Sequence, residues 1–300
     1  MPIKKVWQPH LRTRQRFRYI INLHTPSFKM KLFHSFISVL LAFLLSAKPA
    51  EVLSQLQTSL HHAVQIFRID PFNNLYILDE SNKVHRYSSK HEWMYTYADN
   101  TLGKITYLDI TDPLKPLIYK RDYGTVIILD NTLSEIDRFN IFDYGYQGVN
   151  IASTSADGHY WIYDRSEYQL MKIDRKGKRL VTSINLIELG FQDIAPQQII
   201  ERQGKVILRD ENAGILLFDN FGQYMRQFPF NVHGDVQFDG QNLIFFEQGK
   251  LIIYDTRYYS EKIFPLPDIN KKAGLQEVKA GKDFIYLKYS NEIDIIRRIE

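Results

Sequence analysis

The sequence predicts an all-β protein, a six-bladed β-propeller built from four-stranded antiparallel blades. Beyond residue 50, short apolar runs rich in Ile, Val, Tyr and Phe alternate with turns of Asp, Asn, Gly and Ser, the pattern of strands joined by tight turns. No segment there keeps helical periodicity over three turns. The second apolar run of each unit also recurs at a fixed interval. LYILD ends at Asp79, LIYKRD at Asp122, HYWIYD at Asp164, VILRD at Asp210, LIFFE at Glu247 and FIYLKY at Tyr289, at spacings of 43, 42, 46, 37 and 42 residues. A period near 40 with four strands per unit marks propeller blades, whereas a sandwich has no such period.

The chain begins with material that does not belong to the repeat. Residues 1–29 hold no repeat and no acidic residue; they are expected to be a non-native extension or a cytoplasmic leader. Residues 30–47 read as a signal peptide: a basic start at Met30-Lys31, an apolar stretch over Phe36–Leu45, then Ser46-Ala47. The apolar stretch is short against the roughly 20 residues of a membrane span. Leu45 stands where a peptidase prefers a small residue, so an inner-membrane anchor at residues 36–45 is the alternative. Export to the periplasm or beyond follows from the first reading.

Residues 51–300 form the propeller. Blades are expected over 62–97, 104–142, 149–186, 196–230, 235–266 and 275–300. The last has only three runs, and an open sheet edge is an aggregation template. Residues 51–60, EVLSQLQTSL, are expected to add the missing outer strand and close the ring. A monomer is expected. Asp130, Asp174, Asp219 and Asp255 after third runs, and Asn73-Asn74, Asp157-Gly158, Gln203-Gly204 and Asp239-Gly240 after first runs, read as turns. Trp93 and Trp161 fall within strands and are expected in the core.

Two stretches carry a family resemblance. IDPFNNLYILDESNKVHRYS (69–88) and ADGHYWIYDRSEYQLMKIDRKGK (156–178) resemble NHL-type six-bladed propellers. With the leader, the chain resembles the exported six-bladed propeller proteins of Gram-negative bacteria. The resemblance covers about residues 60–300 and implies a fold, with no assigned activity. Blade 2, with its DITDPLKPLIYKRDYG insert (109–124), and the Gly-poor blade 6 depart from the pattern.

Charge and composition exclude several functions. The chain has a formal net charge of +4, but nine of its 38 basic residues and none of its 34 acids lie in residues 1–50, so the propeller itself carries about −5. That balance argues against nucleic acid as a partner. With no cysteine, disulfides, Cys-ligated zinc and a thiol nucleophile are ruled out. His61, His62, His85, His91, His159 and His233 lack metal-binding spacing, no DxDxDG loop occurs, and no Gly-x-Ser-x-Gly elbow is present. No catalytic residue, metal or cofactor is therefore assigned.

The loops joining strand four to the next strand one, and strand two to strand three, share one face of a propeller, and loops on a rigid scaffold commonly carry binding. On that face Arg121 with Asp122, Asp164 with Arg165, and Arg209 with Asp210 come from three successive blades. Paired guanidinium and carboxylate groups suit a small anionic or sugar-like ligand. Tyr144 and Tyr146, in the YGYQG loop, add aromatic surface for stacking. The expected role is binding or scaffolding in the cell envelope, with an envelope protein or such a ligand as partner and membrane contact only through an uncleaved leader. The alternative is a propeller lyase or glycan hydrolase using carboxylates near the central channel.

Overall fold

The computed structural model describes residues 56–61, 63–99, 103–232, 234–264, 266 and 273–298; the expected extension (1–29) and signal segment (30–47) lie outside the described residues. Strand β1 (Leu56–His61) comes first. Blade 1 holds β2 (Val64–Ile69), β3 (Leu75–Asp79), β4 (Lys83–Tyr87) and β5 (Trp93–Ala98). Blade 2 holds β6 (Tyr107–Asp109), β7 (Leu117–Lys120), β8 (Thr125–Leu129) and β9 (Glu135–Asn140). Blade 3 follows with β10 (Val149–Thr154), β11 (Tyr160–Asp164), β12 (Gln169–Ile173) and β13 (Arg179–Thr182). Blade 4 comprises β14 (Gln198–Arg202), β15 (Lys205–Asp210), β16 (Gly214–Asp219) and β17 (Tyr224–Phe228). Blade 5 comprises β18 (Gln237–Phe238), β19 (Asn242–Glu247), β20 (Lys250–Asp255) and β21 (Ser260–Phe264). Blade 6 supplies β22 (Glu277–Ala280), β23 (Phe284–Lys288) and β24 (Glu292–Arg297).

Each blade is a four-stranded antiparallel sheet, so the predicted propeller is the observed fold. Blade 6 is completed by β1, which pairs antiparallel with β24 from Leu56 opposite Ile296 to His61 opposite Glu292. Ser59 Oγ donates to the Asp294 carboxylate at 2.6 Å across this junction. The ring is therefore closed by the strand that the sequence placed there, which covers the outer edge of β24.

Position within a blade explains the residue pattern. Second strands lie between two neighbouring blades, so β3, β7, β11 and β15 are buried on both faces and read as continuous apolar runs. Outermost strands such as β5 and β13 are largely exposed, because wedge-shaped blades diverge toward the rim. This overturns one expectation: Trp161 on β11 is fully buried, but Trp93 on β5 is 62% exposed. The core is divided into seams between blades. Tyr76, Leu78 and Val84 pack with Leu108, Ile118 and Ile127 between blades 1 and 2, while Ile207, Ile215 and Phe228 pack with Val236, Leu243 and Phe245 between blades 4 and 5. Each such side chain contributes about 1.5–3 kcal/mol on burial.

The Asp turns work as the sequence implies. Asp219 Oδ1 accepts from the Phe221 and Gln223 amides at 2.9 and 2.8 Å, and Asp174 Oδ1 accepts from Lys176 and Lys178 at 2.8 and 2.9 Å. Gly222 has a φ of +78°, and a Cβ there would meet Val181 Cγ1 at 2.8 Å, so both its conformation and its space require glycine. Asp157, in the turn after β10, also binds Lys172 Nζ at 2.8 Å, and that ammonium lies 4.8 Å from the Trp161 ring centre.

The Asp157–Lys172 pair sets a pH dependence. Burial alone would raise the Asp157 pKa, but bonds from Lys172, Ser155 and the His159 amide outweigh it and bring the carboxyl from 3.8 to about 2. A pKa lowered by folding contributes stability above its unfolded value and loses it as pH falls through the folded value. Stability is expected to decline between about pH 4 and pH 2 in denaturant titrations. Asp157→Asn should flatten that decline, and an unchanged profile would show that the pair plays no part in it.

Candidate functional site

First strands β2, β6, β10, β14, β18 and β22 line the central channel. Each presents a sheet edge whose backbone groups need partners, and side-chain amides from the adjacent blade supply several. Gln198 Nε2 donates to the Val236 carbonyl at 2.8 Å while its Oε1 accepts from the Val236 amide at 2.9 Å. Gln237 repeats the arrangement with Ala280, both bonds being 2.8 Å. Asn150 Nδ2 donates to the Pro196 carbonyl at 2.7 Å. Polar inner strands thus bind blade to blade.

At its waist the channel is crossed by longer side chains. Tyr107 of blade 2 donates its hydroxyl to the Ile199 carbonyl of blade 4 at 3.0 Å, passing the intervening blade 3. Arg68 of blade 1 pairs with Asp235, which precedes β18 in blade 5. Its Nε donates to the Leu108 carbonyl at 3.2 Å, and the guanidinium lies 5.6 Å from the Tyr107 ring centre. Lys279 of blade 6 completes the cluster. Its Nζ contacts Asp235 Oδ2 at 2.7 Å, Glu277 Oε1 at 3.2 Å and the Phe67 carbonyl at 2.5 Å. Burial pushes the Lys279 pKa down to about 7; Glu277 opposes the shift, and Arg68 and Arg209 add to it. Burial likewise raises the Tyr107 hydroxyl above its ordinary range, with Asp109 adding and Arg68 opposing.

Buried carboxylates elsewhere around the channel are committed to structure. Asp109 Oδ2 accepts from Ser153 Oγ at 2.7 Å and from Thr154 N and Oγ1 at 2.8 and 2.7 Å, and its Oδ1 holds the Thr111 amide at 2.8 Å. Glu201 Oε2 accepts from Ser155 Oγ, the Ala156 amide and Trp161 Nε1 at 2.5, 3.1 and 2.7 Å. Each joins adjacent blades. Among the described residues no group of three His, Asp or Glu side chains is placed to hold a metal ion.

The sequence-derived site residues divide among three environments. Arg121, in the 3-10 turn Arg121–Tyr123, and Arg165 are exposed and line one cleft of 370 Å3 between blades 2 and 3, with Phe142, Gln147, Asn150 and Tyr168. Asp122 is exposed in the same turn. Asp164 and Asp210 are buried and bind loop backbone. Asp164 Oδ1 accepts from the Ser166 amide at 2.8 Å, and Asp210 accepts from the Ala195, Asn212 and Ala213 amides, each at 2.8 Å. Tyr146 is buried and donates to the Gly177 carbonyl at 2.9 Å; Tyr144 donates to the Arg175 carbonyl at 2.9 Å with its ring against Gly177. Both tyrosines therefore hold blade 3.

Arg209 stands apart from Arg121 and Arg165. It is only 4% exposed, donates Nη1 to the Val232 carbonyl at 2.8 Å, and lines the channel mouth on the face of the four-to-one loops. The position of the strand end is the cause. In blade 3 arginine follows the aspartate and sits in the turn, whereas in blade 4 it precedes the aspartate and stays in β15 opposite Gln198. A step of one residue along a strand moves a side chain to the other face. In blade 2 the final strand position belongs to Lys120, fully buried, whose Nζ contacts the Asp99 carbonyl and carboxylate at 3.0 and 3.4 Å.

Sequence reasoning missed Arg68, Asp235, Lys279 and Lys288. The available signal was a lone cation within an apolar first strand, as in VQIFRID and EVKA; Asp235 in its connection has none. If the cross-channel cluster ties blades 1, 5 and 6, Asp235→Asn leaves buried Arg68 without a carboxylate and Lys279 with Glu277 alone. The expected loss in equilibrium urea unfolding is about 3–5 kcal/mol. A loss under about 1 kcal/mol would mean the pair behaves as a screened surface contact.

Comparison with known proteins bears on the fold alone. No family model and no curated protein matches the chain. Virginiamycin B lyase from Staphylococcus aureus, crystallised as an inactive variant with quinupristin, is 12% identical over 81% of this chain and 99% of its own, with a TM-score of 0.54. The Swd1 (Cps50) β-propeller domain from Myceliophthora thermophila is 10% identical over 82% of this chain and 100% of its own, with a TM-score of 0.55. A protein of Bacteroides fragilis assigned as exported is 10% identical over 85% of this chain and 98% of its own, also at 0.55. The chain therefore shares the propeller fold of bacterial proteins, as its repeats led one to expect.

Proposed function

We propose that the protein is an exported binding module of the cell envelope, which takes an acidic segment of a protein partner on the face carrying the four-to-one and two-to-three loops. One observation carries this reading. Arg121 and Arg165 come from neighbouring blades, line the same cleft, and have no carboxylate partner among the described residues. Exposed guanidinium groups of this kind are available for bidentate recognition of carboxylate. Asn150 Oδ1, buried in the same cleft, lacks a hydrogen-bond partner and can accept a partner's N–H. Phe142 supplies an apolar wall.

The neighbouring groups favour a fixed platform. Tyr144, Tyr146, Asp164 and Asp210 are held by bonds within and between blades, so the loops keep their shape before a partner arrives, which lowers the ordering cost of binding. Export is supported by the basic start, apolar stretch and small residues of 30–47. The likeness in fold to an exported Bacteroides fragilis protein is consistent with it.

Arg121→Glu combined with Arg165→Glu is expected to abolish capture of the envelope partner on immobilised protein, with the far-ultraviolet circular dichroism unchanged. Undiminished capture would remove the cleft from consideration. Mass spectrometry of the protein recovered from the periplasm should find a mature amino terminus after Ala47. Recovery with the inner membrane, still carrying residues 36–45, would instead establish an anchor.

A further inference from the structure

A second cavity, of 350 Å3, opens at the channel mouth on the same face and is lined by Arg68, Gln197, Arg209, Asp235, Glu277 and Lys288, among others. It is separate from the blade 2–3 cleft, sharing no lining residue with it. Its floor is the waist cluster, because Arg68 and Tyr107 line both this cavity and the one at the opposite end of the channel.

Charge at this mouth is unbalanced. Asp235 is taken by Arg68 and Lys279, and Glu277 lies 3.2 Å from Lys279. Arg209 and Lys288 have no carboxylate in contact among the described residues. Lys288 is half-buried and donates only to the Gln65 carbonyl, at 3.0 Å. Arg209 donates Nη1 to Val232, while its buried Nε has no partner. Asp210, the next residue, holds three backbone amides and acts on Arg209 only through space. Glu211 is exposed and acts on Arg209 only through space. A guanidinium 4% exposed without an acceptor for Nε is costly to keep unless something accepts from it.

We infer that the channel mouth is a binding site for a small anion, a carboxylate- or phosphate-bearing molecule whose oxygens bridge Arg209 and Lys288. Size and chemistry agree. The volume, 350 Å3, sits at the low end of the roughly 300–1,000 Å3 typical of ligand pockets, which suits a compact acid and excludes a long glycan. Arg209 Nε offers the missing donor, Lys288 Nζ retains free protons, and Gln197 Oε1, also buried and unpartnered, can accept a hydroxyl from the same molecule. Burial pushes the pKa values of both Arg209 and Lys288 down; Glu277 opposes the shift at Lys288 while Lys279 and Arg68 add to it, and Glu211 opposes it at Arg209 while Arg68 adds to it, so a bound anion would favour the charged form of both groups.

The test is isothermal titration of the purified protein with sodium phosphate and with sodium succinate, at constant ionic strength maintained with chloride. Saturable binding of either probe is expected, phosphate alone pointing to a phosphorylated ligand and succinate alone to a carboxylic acid. Arg209→Gln and Lys288→Gln should each weaken binding by about tenfold or more, as loss of a charge-assisted hydrogen bond requires. Arg121→Glu with Arg165→Glu should leave it unchanged, which separates this site from the blade 2–3 cleft. Lys288 is half-buried, so its variant reports on the site even if Arg209→Gln does not fold. No binding of either probe, or wild-type binding by a folded Lys288→Gln protein, overturns the inference.

Discussion

Asp235 is where the ring is drawn together. Its carboxylate receives Arg68 from blade 1 and Lys279 from blade 6 while it sits at the entrance to blade 5, so three blades meet on one side chain. An ion cluster at such depth gives up much of its Coulomb energy to desolvation. Its worth lies in geometry, because apolar seams hold pairs of neighbouring blades but specify little about how the ring closes. A carboxylate that must meet two particular cations fixes the spacing of the inner strands. Tyr107, reaching Ile199 past an intervening blade, acts in the same way on the other side of the channel.

The division of labour along a blade follows from distance to the axis. Near the channel, strands are polar because their edges need side-chain partners. In the middle they are apolar on both faces because blades flank them. At the rim they face solvent again. Binding groups can therefore be spared only at the strand ends, where loops leave the seams. Arg165 is free there because Asp164 beside it holds the Ser166 amide rather than the arginine, and Arg121 because it lies in an exposed turn.

How much of this was legible depended on how local the cause was. The blades could be read because a strand buried on both faces must be continuously apolar, and the Asp and Gly turns that end it are set within four residues. β1 could be assigned from the missing partner of β24. Trp93 misled because hydrophobicity alone does not say how far from the axis a strand lies. Arg209 was grouped with Arg121 and Arg165 because the motifs look alike, and only the pairing of Arg209 opposite Gln198 shows that it faces elsewhere. The waist cluster was invisible because its members are brought together only by ring closure. Arg68 and Lys279 are lone cations in strands that otherwise read as ordinary edges.

The join between β1 and β24 also governs the order of events when the chain is made. The first strand of the ring emerges long before its partner, and Ser59 must wait for Asp294, 235 positions later. Until then blade 6 has no outer strand. Contacts this distant in sequence are slow to form, and a partly synthesised propeller exposes a sheet edge in the meantime. The ring is thus a clasp that fastens last, and a chain interrupted anywhere before β24 remains an open arc.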